Sequence, residues 1–295
     1  MKYSPTKWRI HIGAHKTATT HVQDLAEIKC DKLYSEGIDF ISRLNIRKNK
    51  VLAKPGRFQW RYKFNGKPLF NAFNKRVNSL RKGAETVVLS EENFLGCAST
   101  LLSSSFYFPP SPHIQTLISL SKRDNVSIFL SIRPQVDIIP SAYIQVIRTQ
   151  QLKNGFDAVR NEVISHPPSW LTLVRYLSKT IPNAHLSIWR MEDYLQDKSA
   201  VLSHLFGITF PPFEDIETPS GTKSPSAEAI DKIYLLPPNM LVKEYKKQVA
   251  EIIASDQGET KFSPFTEAER LILIEKYDAD IIAIKEEFPG LLLEV

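Results

Sequence analysis

Apolar and polar positions along the chain alternate between two periods, and the alternation predicts strands and helices in turn. Residues 7–13 (Lys-Trp-Arg-Ile-His-Ile-Gly) alternate polar and apolar and end on a glycine, the pattern of a strand entering a turn. A helical pattern follows from Thr20 to Glu36 and stops at Gly37. Ile38 to Ile41 reads as a short strand, and Thr86 to Ser90 as a compact β-branched strand of the buried kind. Pro109, Pro110 and Pro112 mark a loop, and His113 to Lys122 a helix. Val126 to Ile132 is the strongest interior strand. It is followed by a helix from Asp137 to Leu152, with Pro140 placed in its first turn. Ala184 to Trp189 reads as a strand, Ser199 to Phe206 as a helix, Pro211 to Ser226 as a loop and Thr266 to Glu287 as an amphipathic helix. Strands alternating with helices predict the α/β class: one domain over residues 1–295, with a mainly parallel sheet covered by helices on both faces.

Composition narrows the function classes. At 42% hydrophobic and 24% charged residues the chain has a globular mixture, which excludes disordered, collagen-like and coiled-coil proteins. Two cysteines, Cys30 and Cys97, are too few for a disulfide framework and favour a reducing compartment. No signal-length or membrane-length apolar run is visible, so the expected location is cytoplasmic. The net charge is +6, but Arg43 to Lys82 holds 13 Lys or Arg and no acid, which leaves the remaining chain at −7. That asymmetry points to an anionic partner or, more plainly, to a solvated face. The same segment carries Phe58, Trp60, Tyr62, Phe64, Phe70 and Phe73.

Ligands of open α/β sheets bind beyond the carboxyl ends of the strands. The first strand-to-helix loop, Gly13-Ala14-His15-Lys16-Thr17-Ala18-Thr19-Thr20, offers a cation, three hydroxyls and the free N–H groups of a helix start. These are the parts of an anion cradle, although a simple helix cap uses the same residues. It lacks the Gly-x-x-x-x-Gly-Lys-Ser/Thr pattern of nucleoside-triphosphate sites.

Residues 10–20 resemble the 5'-phosphosulfate loop of the sulfotransferase superfamily, whose donor is 3'-phosphoadenosine 5'-phosphosulfate (PAPS), and resemble its bacterial glycan-type branch most. Ala18 stands where that family has glycine. A positive φ there would strain an alanine, whereas a helical φ would cost nothing. The family's second motif, a strand ending in arginine and a helix bearing serine eight residues on, is matched by Arg133 and Ser141. The resemblance implies that His15, Lys16, Thr17, Ala18, Thr19 and Thr20 hold the 5'-phosphosulfate, and that Arg133 and Ser141 hold the 3'-phosphate through charge-assisted bonds. It implies Lys16 and Glu92 as catalytic residues, Glu92 as the base, with Glu91 as the fallback. The reaction it implies is an in-line displacement without metal onto a hydroxyl or amine acceptor.

An anionic glycan or glycolipid is the expected acceptor, with the basic segment 43–82 as its wall. Lys223 is a candidate in a late loop over the nucleotide. Trp189, Arg190 and Glu192 read as packing residues, and the spacing of His11, His15 and His21 does not favour a metal. Asn125-Val126-Ser127 matches a glycosylation acceptor but begins a buried strand. Two other readings stay open: a P-loop nucleotide phosphotransferase, and a non-catalytic module of the same fold that binds anions or nucleic acid. Nucleic acid is the less expected partner.

Overall fold

The computed structural model describes residues 6–47, 67–152, 154–209 and 224–295. Five strands form one sheet: β1 (Lys7–His11), β2 (Ile38–Ile41), β3 (Thr86–Ser90), β4 (Asn125–Ile132) and β5 (His185–Arg190). Their order is β2-β3-β1-β4-β5, and every pairing is parallel. Lys7 pairs with Thr86 on one side and Asn125 on the other, so β1 is central and its end is flanked by the ends of β3 and β4. The C-terminal segment adds a short parallel bridge outside β5, in which Ile188 N donates to Leu291 O at 2.7 Å and Leu293 N to Ile188 O at 2.7 Å.

Both faces of the sheet are buried, as a parallel sheet requires. The period-2 alternation separates two cores. Trp8 and Ile10 of β1 and Ile12 just past it, with Val87, Leu89, Ile128 and Leu130, pack on one face. Against them lie α4 (Lys67–Asn78), α5 (Ile114–Ser121), α6 (Gln135–Ile147), α8 (Trp170–Thr180) and α13 (Glu267–Glu287). Val88, Phe129 and Trp189 point the other way, onto α1 (Thr19–Ile28), α2 (Cys30–Ser35) and α10 (Lys198–Phe206). On this second face the half-buried Arg9 donates from Nε to Leu205 O at 2.7 Å and lies over the Phe129 ring at 5.0 Å. A guanidinium suits that place, because the last carbonyls of α10 carry the negative end of its dipole. Gly207, at φ +72°, closes α10, and a Cβ there would meet the Arg9 guanidinium at 3.1 Å.

The remaining helices are α3 (Arg43–Arg47), α7 (Asp157–Ser165), α9 (Met191–Gln196), α11 (Ala227–Tyr234) and α12 (Val242–Ala254).

Three expectations are corrected. The helix predicted from Thr20 to Glu36 is two helices, α1 and α2, separated at Lys29. Pro140 lies not in the first turn but in the body of α6, which starts at Gln135 behind Pro134 and ends at Ile147 rather than Leu152. Helix α13 is not simply amphipathic. It buries Leu273, Tyr277, Asp280 and Ile284, while Leu271, Ile272, Ile274 and Ile282 stay exposed. Its one buried carboxylate, Asp280, accepts from Trp170 N (2.7 Å), Ser169 Oγ (2.7 Å) and Lys276 Nζ (2.7 Å), so the charge is both paired and hydrogen-bonded.

Of the basic segment, residues 43–47 and 67–82 are described. Phe58, Trp60, Tyr62 and Phe64 lie outside the described residues, as do Lys223 and most of the late loop predicted from Pro211. Phe70 and Phe73 are buried in the core rather than presented as a wall. Several of the segment's cations are held by the chain itself: Arg76 Nη2 donates to Asn45 O at 2.8 Å, Arg81 lies 3.9 Å from buried Asp39, and Arg43 donates to Gln23 Oε1.

Candidate functional site

Gly13 leaves β1 at φ +54°, and the loop then takes two further left-handed residues, Lys16 (φ +70°) and Ala18 (φ +61°), with Thr17 between them. Left-handed residues set among right-handed ones turn successive N–H groups toward one side, which makes an anion-binding concavity. Among the described residues, the amides of Lys16, Thr17, Ala18, Thr19, Thr20 and His21 reach no acceptor. Three belong to the first turn of α1, where no intrahelical carbonyl is available, and no side chain caps them. Ala18 is the residue at the N-cap, so its positive φ places it in the strained case.

The hydroxyls behave differently from the amides. Thr17 is buried, and its Oγ1 donates to Ala14 O at 2.6 Å and lies 2.5 Å from Ser131 Oγ. Thr19 Oγ1 also turns back to Ala14 O, at 3.3 Å, and exposed Thr20 accepts from Arg43. The threonines therefore shape the loop, and the groups it presents outward are backbone N–H. His15 sits under the loop, with its N–H donating to Tyr107 Oη at 2.8 Å and its Nδ1 3.1 Å from the same oxygen. His15 is thus placed by Tyr107 and contributes no free amide. His11 is fully buried, with Nδ1 2.9 Å from Ser90 Oγ and Nε2 3.2 Å from Ser131 Oγ, and it stacks on Trp189. His21 bonds Tyr194.

Three cations converge on this loop. Arg133, just beyond β4, donates from Nη1 to Lys16 O at 3.2 Å, and Trp170 Nε1 holds its carbonyl at 2.8 Å. The Lys16 ammonium is pushed below its ordinary value, first by burial and then by the positive fields of Arg148 and Arg133. Arg148, one residue past α6, is a site residue that sequence reasoning misses. Its connection to Lys16 spans more than a hundred positions and carries no local signal. Arg133 and Ser141 face a common cavity of about 260 Å³, which Lys261 and Arg270 also line. The eight-residue strand-to-helix spacing does bring the two together.

Glu91 and Glu92 come after β3 and part company there. Glu91 is fully buried and takes a two-pronged bond from Arg47, Nε to Oε2 at 2.6 Å and Nη2 to Oε1 at 2.5 Å, and it caps the next turn through Asn93 N at 3.0 Å. It is committed to structure. Glu92 is half-buried, with Arg47 Nη2 at 3.1 Å from one oxygen and Gln23 Nε2 at 3.4 Å from the other. Burial alone would raise its pKa, but the fields of His15 and Arg47 and its hydrogen bonds hold the carboxyl below the usual range, so it is ionised at neutral pH. Arg47 and Gln23 likewise have no signal in the sequence that marks them as site residues. Trp189 is buried, Arg190 pairs with Asp193, and Glu192 accepts from Tyr277 Oη at 2.8 Å.

A scan against family models finds no match for this chain, and no curated protein sequence matches it. Among solved structures, the crystal structure of a sulfotransferase from Alicyclobacillus acidocaldarius is similar over 86% of this chain and 97% of that one, at 14% sequence identity and a TM-score of 0.41.

The loop and its histidines yield two testable outcomes. Ala18→Gly removes a left-handed alanine, and after the entropy that glycine adds to the unfolded chain it is expected to stabilise the fold by about 1 kcal/mol. Ala18→Val is expected to destabilise it, because a β-branched side chain suits this conformation worse. Thermal melts of the two variants check both signs. Burial lowers His11 and His15 from 6.5 to about 4, against the opposing field of Glu92. The unfolded chain takes up these protons below 6.5 and the folded chain does not, so their full contribution is present above that pH and is lost as pH falls toward 4. Each histidine is expected to remove about 2 kcal/mol of stability by pH 5. Urea unfolding at neutral pH and at pH 5 measures the loss, and equal stability at the two would contradict it.

Proposed function

We propose that the protein is a sulfotransferase that moves a sulfuryl group from PAPS to a hydroxyl or amine acceptor. The observation that carries this reading is the pairing of two anion sites. One is a cradle of unsatisfied amides beside Lys16. The other is a cavity shared by Arg133 and Ser141. A donor with phosphate groups at both its 5' and 3' positions needs two such sites, and ATP needs one. The residues present fit PAPS: cations that burial and mutual repulsion disfavour are stabilised when an anion enters among them.

When bound, PAPS supplies the sulfuryl group. The amides of residues 16–21 and the Lys16 ammonium would hold its 5'-phosphosulfate, and Lys16 would offset the charge that builds there as the group departs. Arg133 and the Ser141 hydroxyl would hold the 3'-phosphate and so select against nucleotides without one. The ionised Glu92 would take the acceptor's proton at a carboxylate oxygen, while Arg47 and Gln23 fix that carboxylate in place. The side chains of Thr17 and Thr19 orient the loop and do not hold the ligand. A glycan or glycolipid acceptor remains our proposal, without support from the described part of the segment 43–82, whose cations are largely bound within the chain.

Arg133→Ala is expected to weaken binding of the product nucleotide, 3'-phosphoadenosine 5'-phosphate, by about tenfold to a hundredfold, the loss of a charge-assisted bond. Glu92→Gln is expected to leave that affinity unchanged and to slow turnover by about 10² to 10⁴. Calorimetry reads the first and sulfate transfer the second. Unchanged affinity in Arg133→Ala would remove the 3'-phosphate assignment, and unchanged turnover in Glu92→Gln would remove the base.

A further inference from the structure

At the carboxyl end of the sheet a chain of polar side chains crosses the interior, and its middle members take no part in the transfer chemistry. His11 ends β1 and pairs in register with Ser90, the last residue of β3. Ser131 lies two positions past Phe129, the residue of β4 that pairs with His11. All three are buried. The His11 ring stands between the two hydroxyls, Nδ1 2.9 Å from Ser90 Oγ and Nε2 3.2 Å from Ser131 Oγ, with its face on Trp189. Beyond Ser90, Gln23 Nε2 reaches Ser90 O at 3.0 Å, Ser90 Oγ at 3.3 Å and Glu92 Oε2 at 3.4 Å. Beyond Ser131, Thr17 Oγ1 is 2.5 Å away.

The groups at the two ends leave this chain one direction. At the loop, Thr17 Oγ1 lies 2.6 Å from Ala14 O, which can only accept, so the Thr17 hydroxyl donates there. Thr17 Oγ1 then accepts from Ser131, and Ser131, having given its proton, accepts from His11 Nε2–H. Burial lowers His11 to about 4, so at neutral pH the ring carries one N–H. With that hydrogen on Nε2, Nδ1 accepts from Ser90 Oγ. At the far end the Gln23 amide is oriented too: its Oε1 accepts from Arg43, and its Nε2 donates to Ser90 O. Gln23 therefore presents N–H to Ser90 Oγ, which accepts. The opposite direction, with the hydrogen on Nδ1, would leave the close pair Thr17 Oγ1 and Ala14 O without a proton between them. It would also turn the Ser90 proton toward the Gln23 N–H. Each is an unmade bond at a buried group, which costs more than the bond itself contributes.

We propose that His11 is a positioning residue of the candidate site: as the Nε2–H tautomer it sets a one-way hydrogen-bond chain from Gln23 through Ser90, His11, Ser131 and Thr17 to Ala14 O. That chain ties the amide facing Glu92 to the loop that presents the N–H groups of residues 16–21, so the carboxylate after β3 and the cradle after β1 keep one relative placement. The role in transfer rests on the sulfuryl-transfer reading, whereas the proton arrangement does not.

The test reads the tautomer. Long-range proton–nitrogen correlation spectra of the full chain, labelled with nitrogen-15 histidine at neutral pH, show which ring nitrogen of His11 bears hydrogen. The Nε2–H form is expected in the wild type. Thr17→Val removes the acceptor that fixes the direction and leaves His11 untouched, so the Nδ1–H form is expected to appear beside it. A ring that merely packs would keep one tautomer in both. Calorimetry with 3'-phosphoadenosine 5'-phosphate reads the consequence for the site. His11→Phe keeps a ring on Trp189 and breaks the chain, and Ser131→Ala cuts the same chain at one hydroxyl; each is expected to weaken binding by about tenfold. Circular dichroism melts identify a variant that does not fold, and the spectra of the wild type need no variant at His11. An Nδ1–H or doubly protonated ring in the wild type would overturn the proposal, as would a tautomer that Thr17→Val leaves unchanged. Unaltered affinity in folded His11→Phe and Ser131→Ala would overturn the positioning role. A wild type that binds no nucleotide would overturn the sulfuryl-transfer reading and the role built on it, and the spectra would still decide the proton arrangement.

Discussion

The position of β1 between β3 and β4 sets every other feature of the site. Three parallel strands end side by side, and the residues just past each end are delivered to the same edge: the left-handed loop after β1, Glu91 and Glu92 after β3, Arg133 after β4. The bond from Arg133 to the Lys16 carbonyl joins two of these ends, and the bond from Gln23 at the start of α1 to Glu92 joins the third. A change of strand order would scatter the same residues over different edges. The two buried cores maintain that order: β1 sends Trp8 and Ile10 into the first core, and β3 and β4 supply apolar residues to both.

Within that frame the site divides its polar groups into those already satisfied and those not. Thr17, Thr19, His11, His15 and Glu91 have partners inside the chain, and their work is to hold the loop and the turn after β3. Among the described residues the amides of residues 16–21 reach no acceptor, and beside them the Lys16 ammonium is pressed by two arginines. Such a collection of donors at a helix start suits a ligand of opposite charge. The left-handed alanine at 18 belongs to the same arrangement, since strain of this sort persists where surrounding structure dictates the backbone. The two adjacent acids after β3 differ in the same way. Glu92 alone of the two adjacent acids keeps part of its surface open, because Arg47 spends its two-pronged grip on Glu91.

Much of this is legible in the sequence, for a physical reason. Parallel strands buried on both faces read as short runs of apolar and β-branched residues, and β2 and β3 start and stop where such runs do. The cradle is legible because strand, loop and helix start are contiguous, and so is the pair Arg133 and Ser141, eight residues apart. Elements outside the sheet read less well. Helix α8 carries its own signal, Ser169 as a cap before Trp170, Leu173, Val174 and Leu177 at helical spacing, and it is absent from the sequence-based expectations. Pro140 reads as a helix start because proline suits that place best, yet α6 begins five residues earlier. The partners that decide roles, Tyr107 for His15, Arg148 for Lys16 and Arg47 for Glu91, join residues far apart in the chain, which no local pattern encodes. For the same reason the hydroxyls of Thr17 and Thr19, expected from sequence to bind ligand, prove to be turned toward Ala14.

In the function we propose, two anion sites on this chain serve one nucleotide. A calorimetric titration of the wild-type protein with 3'-phosphoadenosine 5'-phosphate and with ADP tests it most directly, because the two compounds differ in whether a 3'-phosphate is present. Binding of the first that is stronger by about tenfold or more is the expected result, the worth of one charge-assisted contact. Equal affinity for the two, or affinity for neither, would contradict the claim.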